Sequence, residues 1–298
     1  MARTLDGLAR QTLAVPTWEL IVVDNGSSPP LAAQPEIKRF ARARLVNEPH
    51  AGLTRARLRG ISEARGELIV FVDDDNVLAP DYLDQVHRLM TVCLNSGAAG
   101  GKVDAEWESL PPAWTSPFHG LLALADHGDT RLVAPGAPGA PWPPFAPVGA
   151  GLAVRRTHAL AYAAAIRSSP ARLDLDRRSG SLSSGGDNDL VFSILHAGAD
   201  VIYEPALVLT HLIPAGRLDP HYLSRLNRGI MRSWVRVLAL HGQCPWPPIP
   251  RWTVPVRAAR AWVRRRAWNS TADSVRWFGD LGQFEGQADL AESAPTRW

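Results

Sequence analysis

The chain has 298 residues, of which 46% are hydrophobic and 20% are charged, a composition typical of globular proteins and unlike that of disordered, collagen-like or disulfide-scaffold chains. Its 32 basic and 29 acidic residues leave a net charge of +3, which is too small to indicate general binding of polyanions. Cys93 and Cys244 lie far apart and outside any metal-binding pattern, which favours a reducing compartment. Because a signal-peptide pattern and an apolar run of roughly 20 residues are both missing, we expect a cytoplasmic protein, either soluble or peripheral at the inner face of the plasma membrane.

Helix-like and strand-like segments alternate in the first third of the chain. The apolar pattern predicts helix 3–13, strand 18–23, strand 43–46, helix 53–64, strand 67–72 and helix 80–94. This alternation is typical of an α/β sheet with parallel strands. The two continuously apolar strands end in Asp24 and in the run that starts at Asp73. Ligands of open α/β sheets bind beyond the carboxyl ends of the strands, so a site is expected at these aspartates.

The rest of the chain is less regular. Residues 105–147 are rich in proline, glycine and tryptophan, which predicts a long loop. The pattern then predicts strand 148–154, a helix from residue 157, helix 187–198, strand 201–203 and helix 221–241. A proline-punctuated extension rich in arginine and tryptophan follows.

The sharpest chemical signal is the run Phe71-Val-Asp-Asp-Asp-Asn. Side chains alternate faces along an extended chain, so Asp73 and Asp75 are predicted to point the same way and Asp74 the opposite way. Two carboxylates on one side suit Mg²⁺ or Mn²⁺, which would in turn hold substrate phosphates. The alternative is that all three are solvated turn residues that cap the next helix.

Two further motifs lie near this run in the predicted sheet. Asp24-Asn-Gly-Ser-Ser ends one buried strand, and Gly52-Leu-Thr-Arg-Ala-Arg opens the following helix. Together with the aspartate run, they resemble the nucleotide-sugar-binding half of a family 2 glycosyltransferase with the GT-A fold. The resemblance implies that the donor is bound by five residues, with Asp24 at the base and Arg57 at a phosphate: Asp24, Asn25, Arg57, Asp73 and Asp74. It also implies that Asp75 is a direct metal ligand.

A later segment, Gly185-Gly-Asp-Asn-Asp-Leu, is similar to the family's Gly-Glu-Asp-x-Asp-Leu, although Gly186 stands where glutamate is usual. The resemblance places the catalytic aspartate at Asp187, whose role would be to take the proton of the acceptor hydroxyl. The alternative is an aspartate that caps the helix, with Asp189 suiting its dipole. His211 matches a histidine that many members of the family use as a further metal ligand.

These motifs imply a GT-A-type α/β fold with a mixed, mostly parallel sheet flanked by helices. The glycosyltransferase domain is predicted at 1–240, with a nucleotide-sugar half at 1–104 and an acceptor half at 105–240, followed by a helical basic extension at 241–298. The reaction implied is metal-dependent, inverting transfer from a nucleotide-diphosphate sugar to a glycan or lipid-linked acceptor, as in bacterial polysaccharide assembly. Arg57 or Arg217 would stabilise the leaving diphosphate. Nucleic acid is not an expected partner.

Two other functions remain open at the level of the sequence. A phosphatase of the haloacid-dehalogenase type would use Asp73 as nucleophile and Asp75 as acid and base, with Lys102 and the Asp187/Asp189 pair in the remaining roles. This alternative leaves the Asp24 and Gly52 motifs unexplained. A non-catalytic protein that binds a membrane surface would use the arginines and tryptophans of the extension, which suit an anionic lipid surface.

The chain also begins at a helix that, in the resembling family, follows a first β-strand and a nucleotide-binding loop. Without that strand, strand 18–23 is expected to expose unpaired backbone groups in a central position of the sheet. The expectation is that the true start lies upstream, or that the chain is a truncated copy.

Overall fold

The computed structural model describes residues 1–31, 35–167, 169–173, 175 and 182–293. These residues form two compact units, each built from several segments of the chain. The first comprises Met1–Glu106, Ala123–Leu173 and Asp187–Ile213, and the second comprises Trp107–Leu122, Asp174–Gly186 and Pro214–Trp298. The predicted boundaries at 104 and 240 follow the family pattern rather than these units, and they stay a prediction.

The first unit contains eight strands among the described residues. They are β1 Leu20–Asp24, β2 Ala43–Asn47, β3 Leu68–Val70, β4 Asn76–Leu78, β5 Ser96–Trp107, β6 Leu132–Ala134, β7 Ala153–Arg155 and β8 Asp200–Ile213. The helices between them are α1 Ala2–Ala9, α2 Pro35–Lys38, α3 Leu53–Glu63, α4 Tyr82–Val92, α5 Arg156–Arg167, α6 Pro170–Leu173 and α7 Gly186–His196. The fold is thus an α/β arrangement with helices flanking a mixed sheet, as the sequence predicts.

The strands form two sheets. β1 and β2 pair in parallel, with Leu20 opposite Ala43. The larger sheet has the order β3-β7-β5-β8-β4, and β6 pairs with β8. Within the part of the chain that is described, β1 pairs with β2 alone and does not join the larger sheet.

The core of the first unit lies on both faces of the larger sheet. Ala98 belongs to one apolar cluster and Ala99 to the other, and Ala153 and Val154 divide in the same way. Adjacent residues of a strand point to opposite faces, so each face has its own cluster. Helices α1 and α4 contribute to one cluster, and α5 and α7 to the other.

Strand β5 is the main element that the sequence does not predict. Its first six residues, Ser-Gly-Ala-Ala-Gly-Gly, lack the branched residues that mark a strand. The reason for the small residues is space, because a Cβ on Gly101 would overlap the carbonyl oxygens of Leu207 and Glu204. The neighbouring backbone of β8 therefore approaches this strand too closely for any side chain at that position.

The second unit is mainly helical. It contains α8 Pro220–Leu240, α9 Val254–Arg265 and α10 Thr271–Ser293, with short 3₁₀ helices at Ala113–Leu122, Ala215–Leu218 and Arg251–Thr253. α10 packs along α8, and a Cβ on Gly282 would overlap the carbonyl oxygen of Arg228. Asp219 caps α8 by accepting hydrogen bonds from the backbone N–H groups of His221 and Tyr222.

Arginines of α8 hold this helix pair together with acidic residues of α10. Arg228 pairs with Glu285, and Arg232 lies 2.7 Å from Asp289. Burial raises the pKa of Asp289, but the Arg232 and Arg251 guanidinium groups outweigh that effect and lower it. Arginines that the sequence places on one stripe of a helix therefore have a packing role. None of the described helices is both long enough and apolar enough to cross a bilayer.

The close approach of β5 and β8 can be tested by Gly101→Ala. We expect the free energy of unfolding to fall by about 2 kcal/mol or more, because the added methyl group meets backbone atoms that cannot move aside. Urea denaturation measures the change. Gly120→Ala is the matched control, since a Cβ at Gly120 has no neighbour within 4 Å; equal stability of the two variants would contradict the argument.

Candidate active site

The first predicted residue, Asp24, organises the loop that follows β1. Its Oδ1 accepts a hydrogen bond from the backbone N–H of Ser27 at 2.9 Å, and its Oδ2 accepts one from Leu31 at 3.0 Å. The N–H groups of Leu31 and Ser27 lower the pKa of this buried carboxyl, because they favour its charged form. The carboxylate at the strand end is therefore preorganised and ionised at neutral pH.

Asn25 joins three parts of the first unit. Its amide nitrogen donates to the carbonyl oxygens of Glu48 at 2.8 Å and His50 at 2.9 Å. Its Oδ1 accepts from the N–H of Gly52 at 2.8 Å. Gly52 is the residue before α3, so Asn25 fixes the start of the helix that carries Arg57.

The aspartate run forms a tight turn between β3 and β4. The N–H of Asn76 donates to the carbonyl oxygen of Asp73 at 3.0 Å, and the fully buried Asn76 side chain donates to Asp75 Oδ1 at 3.1 Å. Asp74 points to solvent, and its carbonyl oxygen accepts from the hydroxyl of Thr4 at 2.7 Å. The different exposure of Asp74 agrees with the predicted alternation along this run.

Asp75 and His211 lie side by side. Asn76 of β4 pairs with His211 of β8 in register, and this pairing brings His211 Nε2 to 3.2 Å from Asp75 Oδ2. His211 is buried, whereas Asp75 is partly exposed. The predicted metal ligands are thus neighbours, although no group of three or more His, Cys, Asp or Glu side chains that could hold a metal occurs in the described ranges.

Arg57 and Asp187 meet at Gly149. The backbone N–H of Gly149 donates to Asp187 Oδ2 at 2.9 Å. A Cβ on Gly149 would overlap the Arg57 guanidinium and would lie 2.8 Å from Asp187 Oδ2. The guanidinium carbon of Arg57 also lies 5.8 Å from the centre of the Phe71 ring. Any side chain at this position would displace the ends of Arg57 and Asp187, because both contact the same backbone position.

The electrostatics of Asp73 connect these residues into one cluster. Burial raises the pKa of Asp73, and the charges of Asp75 and Asp187 raise it further, whereas Arg57 and His211 act to lower it. All four groups therefore lie within electrostatic range of Asp73. The structure brings together five of the predicted site residues: Arg57, Asp73, Asp75, Asp187 and His211. Asp24 and Asn25 lie at the end of the smaller sheet and connect to this cluster through α3.

The second aspartate of the Asp-Asn-Asp segment has a different environment. Asp189 is fully buried and accepts from the Arg172 guanidinium of α6 at 2.9 Å. Arg172 also donates to the hydroxyl of Ser193 at 2.9 Å. This network anchors the first turn of α7 to α6, so that Asp189 holds the helix in place while Asp187, two residues earlier, faces the cluster.

Gly149 and Asn76 are the residues of the site that sequence reasoning missed. Residues 148–154 were predicted as a strand, but the strand is limited to Ala153–Arg155, and Gly149 lies in the segment before it. A glycine pair inside an apolar run, Gly149-Ala-Gly151, indicates a close backbone approach and could have found this position. Asn76 carries no such signal, because its role depends on pairing with a distant strand.

Other residues considered from the sequence lie elsewhere. Lys102, which the phosphatase alternative would use, forms an ion pair with Asp126 at 2.8 Å. Arg217 belongs to the second unit, where its guanidinium lies 6.0 Å from the centre of the Tyr222 ring.

The first part of the chain is similar to a known protein family. Residues 1–133 match the family model described as Glycosyl transferase family 2. This segment is therefore similar to glycosyltransferase family 2. It contains the predicted donor-binding residues and Asp75, while Asp187 and His211 lie beyond it.

Individual relatives match shorter segments. EpsH of Bacillus subtilis, named as a glycosyltransferase, is 36% identical over 86 residues, which is 28% of this chain and 24% of EpsH. The succinoglycan biosynthesis protein ExoM of Rhizobium meliloti is 29% identical over 139 residues, or 44% of each chain. The chain thus spans less than half the length of these curated relatives.

The fold comparison covers more of the chain. A crystal structure of GalNAc-T7 with UDP, GalNAc and Mn²⁺ superposes with a TM-score of 0.52 at 13% identity, covering 93% of this chain and 51% of that one. At this identity the likeness concerns the fold, and it places the chain among GT-A structures.

The Asp24 environment predicts a pH dependence of stability. Because the folded-state pKa of Asp24 is lowered, its contribution is present above the ordinary aspartate pKa of about 3.9 and is lost as the pH falls through the folded value. Asp24→Asn is therefore expected to destabilise the protein at pH 7 and to differ less from the wild type in acid. Thermal unfolding across pH 3–7 measures this, with the exposed Asp129→Asn as control; a difference that grows in acid would contradict the prediction.

Proposed function

We propose that the chain transfers a sugar from a nucleotide-diphosphate donor to a glycan or lipid-linked acceptor, with inversion at the anomeric carbon and with a divalent metal. The observation that carries this proposal is the meeting of Asp187 and Arg57 at Gly149, within electrostatic range of Asp73. A carboxylate and a guanidinium side by side suit a reaction in which one oxygen loses a proton while another gains negative charge. The match of residues 1–133 to glycosyltransferase family 2 supports the same reaction class.

Asp187 is the proposed general base. Its carboxylate would take the proton of an acceptor hydroxyl as that oxygen attacks the anomeric carbon. The bond from this carbon to the diphosphate breaks at the same time, and its electron pair stays on the leaving diphosphate. The Gly149 N–H fixes the orientation of Asp187 by donating to Oδ2 at 2.9 Å, and the buried Asp189 fixes the helix.

Arg57 is the proposed partner of the diphosphate. Its position beside Gly149 and over the Phe71 ring preorganises the guanidinium, so that little reorganisation is needed as charge develops on the leaving group. Asp24 and Asn25 would serve the nucleotide end of the donor. Their hydrogen bonds already hold the two loops that would line it.

Asp75 and His211 fit a divalent metal as a partial ligand set. One carboxylate oxygen and one imidazole nitrogen 3.2 Å apart can bind the same cation, and the remaining positions would be filled by diphosphate oxygens and water, as is usual for Mg²⁺ sites. When bound, the cation supplies positive charge to the diphosphate. The Mn²⁺ in the GalNAc-T7 structure belongs to a protein of the same fold and is consistent with this proposal.

The acceptor is proposed from the relatives. ExoM is named for succinoglycan biosynthesis, so a growing polysaccharide, free or lipid-linked, is the acceptor class to examine first. A screen of UDP- and GDP-sugars with Mg²⁺ and Mn²⁺, read by release of the nucleoside diphosphate, tests the function itself. Release of inorganic phosphate from simple phosphate esters, without any nucleotide sugar, would favour the phosphatase alternative.

The metal assignment predicts that UDP or GDP binds only with a divalent cation and that Asp75→Ala abolishes this binding. His211→Ala is expected to weaken it, because the imidazole supplies the second ligand. Isothermal calorimetry with Mn²⁺ or with EDTA measures both effects, and the EDTA titration of the wild-type protein is independent of any folding defect in the variants. Unchanged affinity in EDTA would reject the metal site.

The catalytic assignment predicts that Asp187→Asn lowers turnover by roughly 10²-fold or more while UDP or GDP binding stays nearly intact, as loss of a general base should. Nucleoside diphosphate release under saturating donor measures turnover, and calorimetry measures binding. The exposed Asp129→Asn controls for loss of a carboxylate. If the Asp187→Asn enzyme had the turnover of the wild type, the role of Asp187 would be limited to capping the helix.

A further inference from the structure

Helix α9 and its flanks carry a concentration of arginine and tryptophan that the proposed reaction does not use. Residues 251–268 contain six arginines and three tryptophans and no acidic residue. All three tryptophans are exposed: Trp252 by 78%, Trp262 by 41% and Trp268 by 58%. Large apolar side chains grouped on a surface in this way usually mark an interaction site.

Only one side of α9 packs on the rest of the second unit. Ala258 and Ala261 are buried, and the carbonyl oxygen of Ala258 accepts a hydrogen bond from the Trp277 indole at 2.9 Å. Half of the arginines of residues 251–268 also have structural partners: Arg251 pairs with Asp289, and Arg264 and Arg265 pair with Asp280. These contacts fix which face of α9 points outward.

The outward face divides into an apolar arc and a basic arc. Each residue turns a helix by about 100°, which places Val256, Ala259, Trp262 and Val263 along one continuous arc. Arg257, Arg260 and Arg264 occupy the adjoining arc. Val256 and Val263 are 52% and 59% exposed, so the apolar arc is open to solvent.

Most of the positive charge on and beside the basic arc is not neutralised by nearby carboxylates. Arg257, Arg260 and Arg266 are exposed, and among the described residues no carboxylate forms an ion pair with them. Arg257 donates to the hydroxyl of Thr253 at 3.3 Å, a contact that leaves its charge uncompensated. The positive charge of this surface is therefore available to an external anion.

We propose that this surface, formed by Val256, Arg257, Arg260, Trp262, Val263 and the adjoining Trp268, whose ring centre lies 4.6 Å from that of Trp262, docks onto an anionic lipid bilayer. An apolar arc beside a basic arc is the pattern of a helix that lies in the membrane interface. Tryptophan suits this position because its ring is apolar while its N–H stays hydrated. The arginines add attraction to anionic headgroups, and their long stems can cover apolar surface.

A nucleic acid or a second copy of the chain fits these features less well. Nucleic-acid binding needs the charge but leaves the exposed valines without a role, whereas self-association through the apolar arc would bring the uncompensated arginines of two copies together. A lipid surface uses both arcs at once. The inference concerns a surface of the second unit and does not rest on the transfer reaction.

The test is flotation of the full chain with vesicles of phosphatidylcholine alone or mixed with phosphatidylglycerol. We expect binding to require phosphatidylglycerol and to fall at high salt, where surface charges are screened. Arg257→Glu/Arg260→Glu should lower the partition coefficient by about tenfold or more, and Val256→Ser/Val263→Ser should lower it several-fold. Matched controls are Arg10→Glu/Arg88→Glu and Val92→Ser/Leu94→Ser, which change exposed residues of the first unit and should bind as the wild type does.

Three results would overturn the proposal: equal binding to both kinds of vesicle, an unchanged partition coefficient in both α9 variants, or an effect of the control variants as large as theirs. Light scattering of the same proteins without lipid would reveal self-association through α9, which would replace the lipid proposal if vesicles are not bound. Nucleoside diphosphate release, measured on the same variants in solution, separates loss of docking from loss of transfer activity.

Discussion

Repulsion among Asp73, Asp75 and Asp187 is the constraint on which the arrangement of the site depends. Two further carboxylates within electrostatic range of Asp73 would disfavour the folded state unless other groups offset their charge. Arg57 and His211 supply opposing charge to Asp73, while Asn76 and the Gly149 N–H donate hydrogen bonds to Asp75 and Asp187. Asp73 and Asp75 lie in the turn between β3 and β4, whereas Asp187 lies in the first turn of α7, so distant parts of the first unit must pack together to form the cluster.

The sequence predicts the fold class and many elements because their signals are local. The apolar runs before Asp24 and Asp73 mark β1 and β3, and the periodic pattern of residues 221–241 marks α8 within one residue at each end. Strand β5 is not predicted because its small residues are needed for contact with a strand distant in sequence: the backbone of β8 lies directly beside Gly101. The same holds for β4, whose three residues become a strand only by pairing with β8.

The site residues show the same difference between local sequence signals and distant structural constraints. Asp24, Arg57, Asp73 and Asp75 are found from motifs in the segment that matches glycosyltransferase family 2, and the structure gathers three of them with Asp187 and His211. The hydrogen bonds of Asn25 are an example of contacts that a sequence motif alone does not predict. The contact of Asn25 with the donor stays a prediction, whereas the structure shows that its amide hydrogen-bonds to Glu48, His50 and Gly52 and thereby positions the surrounding loops.

The division of β1 and β2 from the larger sheet affects how the first unit responds to a ligand. A two-stranded sheet has marginal stability by itself, so the smaller sheet depends on its apolar contacts and on the Asn25 hydrogen bonds that tie β1 to the start of α3. Local opening of this part should therefore require less free energy than opening of the six-stranded sheet. A nucleotide held at Asp24 would add its binding energy to the part of the unit with the smallest stability of its own, so that recognition of the donor and completion of the fold become a single cooperative event.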